Sequence, residues 1–171
     1  MMREIKRQYS SENKKNLSAS VWEKVEKTDK FKKAKVVMAY WSMDDEVYTH
    51  DFVRRWSATK ELLLPCVRGD ELEIRRFEGD ENMVAGEGYG IPEPVGAVFP
   101  EPESIDLILV PGVAFDADGN RLGRGKGYYD KILKRTSAYK MGVCFDFQYV
   151  SRVPVEECDM PVDTVVVSVP R

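Results

Sequence analysis

Histidine is nearly missing from this sequence: His50 stands alone among 171 residues. That excludes multi-histidine metal centres and leaves one imidazole for any Ser-His or Cys-His pair. No G-x-S-x-G surrounds a serine, so nucleophilic hydrolysis has no motif behind it. His50 itself reads most simply as an exposed residue at a helix start. Cysteine is scarce as well. Cys66, Cys144 and Cys158 form an odd set with no C-x-x-C spacing. Neither a disulfide framework nor a zinc ribbon is written here, and a reducing cytoplasm is the plain expectation. The longest apolar runs, VVMAYW and LILV, fall far below the roughly 18 residues of a membrane span, and the charged N-terminus lacks a secretory apolar region, so no membrane partner is expected. Nor is there an excess of positive charge. Lys and Arg number 26 against 29 Asp and Glu, a formal net charge of −3. This argues against a general nucleic-acid binder and requires any anion site to be local.

What is present suits one domain, because a chain of this length buries roughly 70% of its unfolded surface in a single core. Residues 10–28 carry Leu17, Val21 and Val25 at spacings of four, the stripe of an amphipathic helix. KVVMAYW, 35–41, reads as a strand. THDFVRRWSATK reads as a helix with Phe52, Val53 and Trp56 on one face and Thr49 as N-cap. ELLLPCV and ELEIRRF flank Arg68-Gly69-Asp70 as a hairpin does. Residues 79–104 are rich in Gly, Pro and Glu without periodicity, and GYGIPEP within them suits a site wall and a surface wrap equally. IDLILVPGVAFD, 105–116, reads as a buried strand. A helix from about 127, with Tyr129, Ile132 and Leu133 on one face, and strands in YKMGVCFD and DTVVVSV complete the chain. Strand and helix alternate, which predicts an α/β fold with a mostly parallel sheet covered on both faces.

The chemistry concentrates in RLGRGKGYYD, 121–130, where Gly123, Gly125 and Gly127 interleave with Arg124 and Lys126. In an extended chain these two cations repel by about 2.5 kcal/mol at an effective dielectric of 20, and by about 0.6 in water. An anion relieves that repulsion. The glycines clear side chains from the backbone, and a helix start follows; phosphate fits all three features. A solvated surface turn is the alternative, but an apolar strand precedes this run, and strand ends are where open α/β sheets bind ligands. Named phosphate motifs do not match. Gly125-Lys126 is followed by Gly127 where a Walker loop needs Ser or Thr, and the third glycine comes one residue early for a dinucleotide fingerprint. DADGN, 116–120, lacks the glycine position and terminal Glu of a calcium loop and reads as a turn. Asp130 either complements the helix dipole or ligates magnesium beside a polyphosphate, in which case a second carboxylate belongs elsewhere in the chain.

PGVAFDADGNRLGRGKGYYDKIL, 111–133, resembles the signature of the 5-formyltetrahydrofolate cyclo-ligase (5,10-methenyltetrahydrofolate synthetase) family. YWSMDDEV and VPVEECDMPVD continue the likeness over nearly the whole chain. The resemblance implies a single three-layer α/β/α domain that uses MgATP to close 5-formyltetrahydrofolate into 5,10-methenyltetrahydrofolate. ATP would phosphorylate the formyl oxygen, the neighbouring folate nitrogen would attack the activated carbon, and phosphate would leave. It further implies that Arg121, Leu122, Gly123, Arg124, Gly125, Lys126, Gly127, Tyr128 and Tyr129 cradle ATP. Arg124 to Tyr128 would also lie near the formyl end of the folate, with Arg124, Lys126 and Tyr128 catalytic. Tyr129's ring is taken as a core anchor. Glu46 and Trp41 match substrate-binding positions, although on their own residue chemistry they are a loop acid and a core aromatic. Asp159 supplies the second magnesium carboxylate beside Asp130, and Asp163 is assigned a capping or solvated role.

Two departures accompany the match. Cys158 stands where many bacterial relatives carry histidine. The family's basic N-terminal K-x-x-x-R also lies upstream of where this chain aligns, although Arg3, Lys6 and Arg7 remain. A second reading is therefore a non-catalytic homologue that binds folate or nucleotide. A third, single-stranded RNA on the basic-aromatic run RLGRGKGYY, has the wrong overall charge. The expected state is a cytoplasmic monomer with small-molecule substrates.

Overall fold

A computed structural model describes residues 11–86, 90–157 and 159–170. Arg3, Lys6, Arg7 and Cys158 thus lie outside the described residues. The chain runs through helix α1 (Ser11–Lys27), the short helix α2 (Asp29–Lys33), strand β1 (Val36–Met38), helix α3 (His50–Trp56) and the pair β2 (Glu61–Arg68) and β3 (Glu71–Arg76). Strands β4 (Met83–Ala85), β5 (Pro92–Pro94), β6 (Leu107–Val110), β7 (Ala114–Phe115) and β8 (Arg121–Leu122) follow. Helix α4 (Tyr128–Lys134), β9 (Tyr139–Cys144) and β10 (Thr164–Val167) complete it.

Period-two alternation divides the apolar residues between two cores. Val37, Leu62, Leu64, Leu107, Leu109, Met141 and Val143 face one side of the sheet, and Met38, Leu63, Ile108, Val110 and Cys144 face the other. On the first side lie Leu17, Val21 and Val25 of α1, Phe31 of α2, and Phe52 and Val53 of α3. On the second lie Ile132 and Leu133 of α4, with Phe115. Helices therefore cover both faces of a six-stranded sheet of order β10-β9-β6-β1-β2-β3. The pairs β10-β9, β9-β6, β6-β1 and β1-β2 are parallel, and β3 is antiparallel to β2.

The β2-β3 turn has Arg68 opposite Glu71, and Gly69, at φ 64°, takes the left-handed conformation that a two-residue turn demands. Three expectations need correction. The 35–41 strand shortens to Val36–Met38, and 105–116 divides: β6 ends at Val110, and Ala114–Phe115 pairs with Arg121–Leu122 in a separate antiparallel ribbon. Thr49 precedes α3 but its side chain does not cap it. Its hydroxyl instead donates to Tyr40 O at 2.6 Å and accepts from Ser42 N at 3.0 Å, while Thr49 N donates to Ser42 Oγ at 3.0 Å. These bonds close the neck of the 42–49 loop. Cys66 and Cys144 are buried free thiols whose pKa values burial pushes up to about 11 and about 12, which suits inert core residues.

Candidate active site

The chain leaves β1 through α3 toward β2, on one side of the sheet, and leaves β6 through α4 toward β9, on the other. Connections that part in opposite directions open a crevice at the carboxyl ends of the two strands. A cavity of about 430 Å³ sits there, within the range of small-molecule sites. Tyr40, Trp41, Met43 and Glu46, which follow β1, and Pro111 and Gly112, which follow β6, line it. So do residues 121–130 and, from a third direction, Pro154, Glu156 and Asp159. Pro65, Val67 and Leu72 of the hairpin, with Ile91 and Pro92, give it an apolar wall.

The glycine run enters this cavity as a loop. Gly125 (φ 91°) and Gly127 (φ 73°) adopt left-handed backbone, yet a Cβ on either would meet open space. Backbone conformation, and not packing within the chain, requires glycine at these points. Helix α4 begins at Tyr128, with Asp130 in its first turn.

Arg124 Nη2 donates to Asp45 Oδ1 at 3.0 Å and Oδ2 at 3.1 Å, and lies 3.9 Å from Glu46 Oε2. Lys126 is exposed and makes no hydrogen bond or ion pair with the described residues. Glu46 is held by its own loop: its N–H donates to Met43 O at 3.1 Å, and Oε1 accepts from Met43 N at 2.8 Å. Its side chain is only 11% exposed.

Asp130 and Asp159, the two acids expected to share a metal, both line this cavity. Met160 N, the amide after Asp159, donates to Asp130 Oδ1 at 3.2 Å, and Asp159 Oδ2 accepts from Glu156 N at 2.9 Å. Arg121 Nη2 lies 3.5 Å from Asp130 Oδ1, and Nη1 donates to Pro111 O at 3.2 Å. No cluster of three or more His, Cys, Asp or Glu residues occurs among the described residues. Two carboxylates facing a cavity suit magnesium, which completes its shell with water and phosphate oxygens.

Behind the loop, Asp116 is buried. Burial alone would raise its pKa, but N–H donors from Val153, Asn120 and Asp118 outweigh that and hold the carboxyl below its ordinary range. The bonds run from Val153 N (2.9 Å), Asp118 N and Asn120 N (3.0 Å each) and Asn120 Nδ2 (3.1 Å). DADGN is thus a turn, as its sequence suggests. It ties the root of the glycine loop to the segment that delivers Asp159.

With this geometry in place, comparison with known proteins decides the family. A sequence profile of the 5-formyltetrahydrofolate cyclo-ligase family matches residues 1–168. The chain belongs to that family. The mouse 5-formyltetrahydrofolate cyclo-ligase is 33% identical over 174 residues, covering 93% of this chain and 86% of the relative. The protein of that name from Escherichia coli K12 is 34% identical over 143 residues, 78% of each chain. The solution structure of Aquifex aeolicus 5,10-methenyltetrahydrofolate synthetase superposes with a TM-score of 0.86 at 39% identity, covering 97% of this chain and 85% of that one. A Mycoplasma pneumoniae 5,10-methenyltetrahydrofolate synthetase, at 23% identity and a TM-score of 0.74, shares the fold. Membership makes the chain a ligase of folate metabolism.

The site residues expected from sequence, Trp41, Glu46, Arg121 to Tyr129, Asp130 and Asp159, all line this cavity. Their settings differ. Leu122 is exposed, whereas the Arg121 side chain is 7% exposed and turned toward Asp130. Tyr128 reaches the hairpin tip, its hydroxyl donating to Gly69 O at 3.1 Å. Trp41 is half-buried and stacked on His50, with ring centroids 3.8 Å apart at 10°. His50 is accordingly half-buried, not exposed, with Nε2 3.0 Å from Ser42 O. Asp163 Oδ2 accepts from Lys140 N at 2.8 Å, the local role expected of it.

Sequence reasoning missed Asp45 and the apolar wall. The acidic pair Asp45-Glu46 opposite a cationic loop was a usable signal for the first. The wall had none, because Val67, Leu72 and Ile91 meet only through the hairpin. GYGIPEP resolves toward a site wall over its described part: Ile91, Pro92 and Glu93 line the cavity. Buried Glu93 fastens this segment to β2, with Oε2 accepting from Val67 N at 2.6 Å and Oε1 from Arg68 Nη1 at 3.0 Å.

Proposed function

We propose that this chain closes 5-formyltetrahydrofolate into 5,10-methenyltetrahydrofolate at the expense of ATP, releasing ADP and phosphate. One observation carries the reading. Three segments distant in sequence bring a carboxylate suited to a pterin N–H edge (Glu46), two cations (Arg124, Lys126) and two acids (Asp130, Asp159) to one cavity.

The oxygen of an N-formyl group is a poor leaving group, so it first attacks the terminal phosphorus of ATP and ADP departs. The neighbouring folate N–H then attacks the activated carbon and gives up its proton to solvent, and phosphate leaves with the former formyl oxygen. Arg124 and Lys126 neutralise charge on the transferring group, the interaction that dominates phosphoryl transfer. Gly125 and Gly127 admit the phosphates to the loop backbone, and Tyr128, anchored at the hairpin tip, borders the formyl end. Glu46 orients the pterin, and Trp41 braces the strand-end side of the cavity. Asp130 and Asp159, which both line the cavity, would hold magnesium. When bound, magnesium offsets the charge of the triphosphate and orients it. We assign the chain to the cytoplasm as a monomer.

The test is isotopic. With 5-formyltetrahydrofolate carrying ¹⁸O in the formyl group, the label should appear in the released inorganic phosphate. Label retained in the folate or released as water would contradict this route.

A further inference from the structure

Among the described residues, three buried side-chain polar atoms have no hydrogen-bond partner: Arg121 Nε, the Tyr129 hydroxyl and Asp146 Oδ1. Arg121 and Tyr129 line the same cavity, and the guanidinium lies over the tyrosine ring at 5.6 Å. The rest of the Arg121 head is engaged by Pro111 O and Asp130. The Tyr129 hydroxyl has no hydrogen-bond partner among the described residues, although its ring packs against the apolar core that holds Ile132 and Leu133. Native structures rarely bury a hydroxyl unsatisfied, so each case calls for a missing partner. At the wall of a ligand cavity, that partner is the ligand.

Its chemical class follows from the neighbours. The Tyr129 phenol brings an O–H that can donate. Glu46, lining the same cavity, can only accept. A donor and an acceptor on the wall of one cavity are complementary to a ligand that carries both a C=O and an N–H, as the edge of a lactam does. Phosphoryl oxygens already have Arg124 and Lys126 on the loop.

We infer that Tyr129 is a specificity residue for the folate: its hydroxyl donates to the pterin 4-oxo oxygen while Glu46 takes the adjoining ring N–H. The inference rests on the folate reading of the cavity. It moves this hydroxyl from the nucleotide to the pterin, and it explains why a residue whose ring belongs to the core is tyrosine and not phenylalanine.

Tyr129→Phe removes the hydroxyl and keeps the ring. Because that hydroxyl bonds to none of the described residues, the variant should melt at the wild-type temperature or above it. Calorimetric titration without ATP should show its Kd for 5-formyltetrahydrofolate raised about two- to twelvefold, the loss of one neutral hydrogen bond. The Kd for MgATP should stay unchanged, and the preference of the wild-type protein for the natural folate over its 4-amino-4-deoxy analogue should narrow. A rise in the Kd for ATP with folate affinity unchanged would put the hydroxyl on the nucleotide and overturn the inference. A lower melting temperature with both affinities intact would overturn it too, by revealing a structural bond. Failure of the wild-type protein to bind the folate would remove the reading of the cavity and this inference with it. Wild-type binding that phenylalanine leaves unaltered would remove this inference alone.

Discussion

Asp45 and Arg124, 79 positions apart in sequence, meet across the cavity, with both carboxylate oxygens within 3.1 Å of one guanidinium nitrogen. The chain thus meets the Arg124 charge of its glycine loop with an internal carboxylate. A phosphoryl group arriving at Arg124 must compete with it. Both partners are more than a third exposed, at 38% and 40%, so solvent screens the pair and its worth is small. Asp45→Asn should therefore lower the apparent KM for ATP by about two- to fivefold and leave the melting temperature unchanged. Initial-rate kinetics at fixed folate measure this. A raised KM would show that Asp45 assists the nucleotide.

Lys126 is exposed and uses none of its donors on the described residues, so its removal should spare the fold. Lys126→Ala is expected to cut kcat about a hundredfold or more, the scale of losing one charge-stabilising group at a reacting centre. Thermal melting and turnover, measured on the same preparation, separate the two effects. Parallel loss of both would make Lys126 a structural residue.

The layered fold was legible wherever burial alone sets the pattern. LILV had to be an interior strand, since four apolar residues in succession need cover on both faces, and Leu107 and Ile108 do enter opposite cores. The glycine run was legible as a loop at a strand end, and it does line the cavity there, with Gly125 and Gly127 in left-handed backbone. Side-chain partnerships across the fold were not legible. Thr49 occupies the N-cap position, but Tyr40 and Ser42 offer its hydroxyl buried backbone partners, and nothing local in the sequence announces them. His50 was read as exposed because its neighbours in sequence are polar. Trp41, nine residues earlier, covers it.

Asp130 and Asp159 both line the cavity, so each should contribute to metal affinity. Asp130→Asn and Asp159→Asn should each raise the magnesium concentration for half-maximal rate by about tenfold or more. Titrating free magnesium at constant ATP tests this. An unchanged requirement in both variants would remove the acids from the metal and return Asp130 to its helix dipole.

Stability should depend on pH through His50. Burial lowers its pKa from 6.5, the hydrogen bond to Ser42 O opposes that, and the Arg54 charge adds to it. The folded state therefore binds this proton less readily than the unfolded chain. Its stabilising contribution is complete above pH 6.5 and is lost as the pH falls from there through the folded-state value. Urea midpoints should decline between pH 7.5 and 5.5. Because this is the sole histidine, His50→Gln should flatten most of that slope. Equal slopes in the two proteins would place the titrating group elsewhere.

The central claim is that one cavity holds ATP and 5-formyltetrahydrofolate together and joins their chemistry. Absorbance is its most direct measure: protein, MgATP and 5-formyltetrahydrofolate are mixed, and the near-ultraviolet band of the methenyl product is followed alongside ADP. The account predicts a band that grows with ATP present, one ADP per methenyl group formed, and no band without ATP. Folate and nucleotide that both bind while neither band nor ADP appears would contradict it.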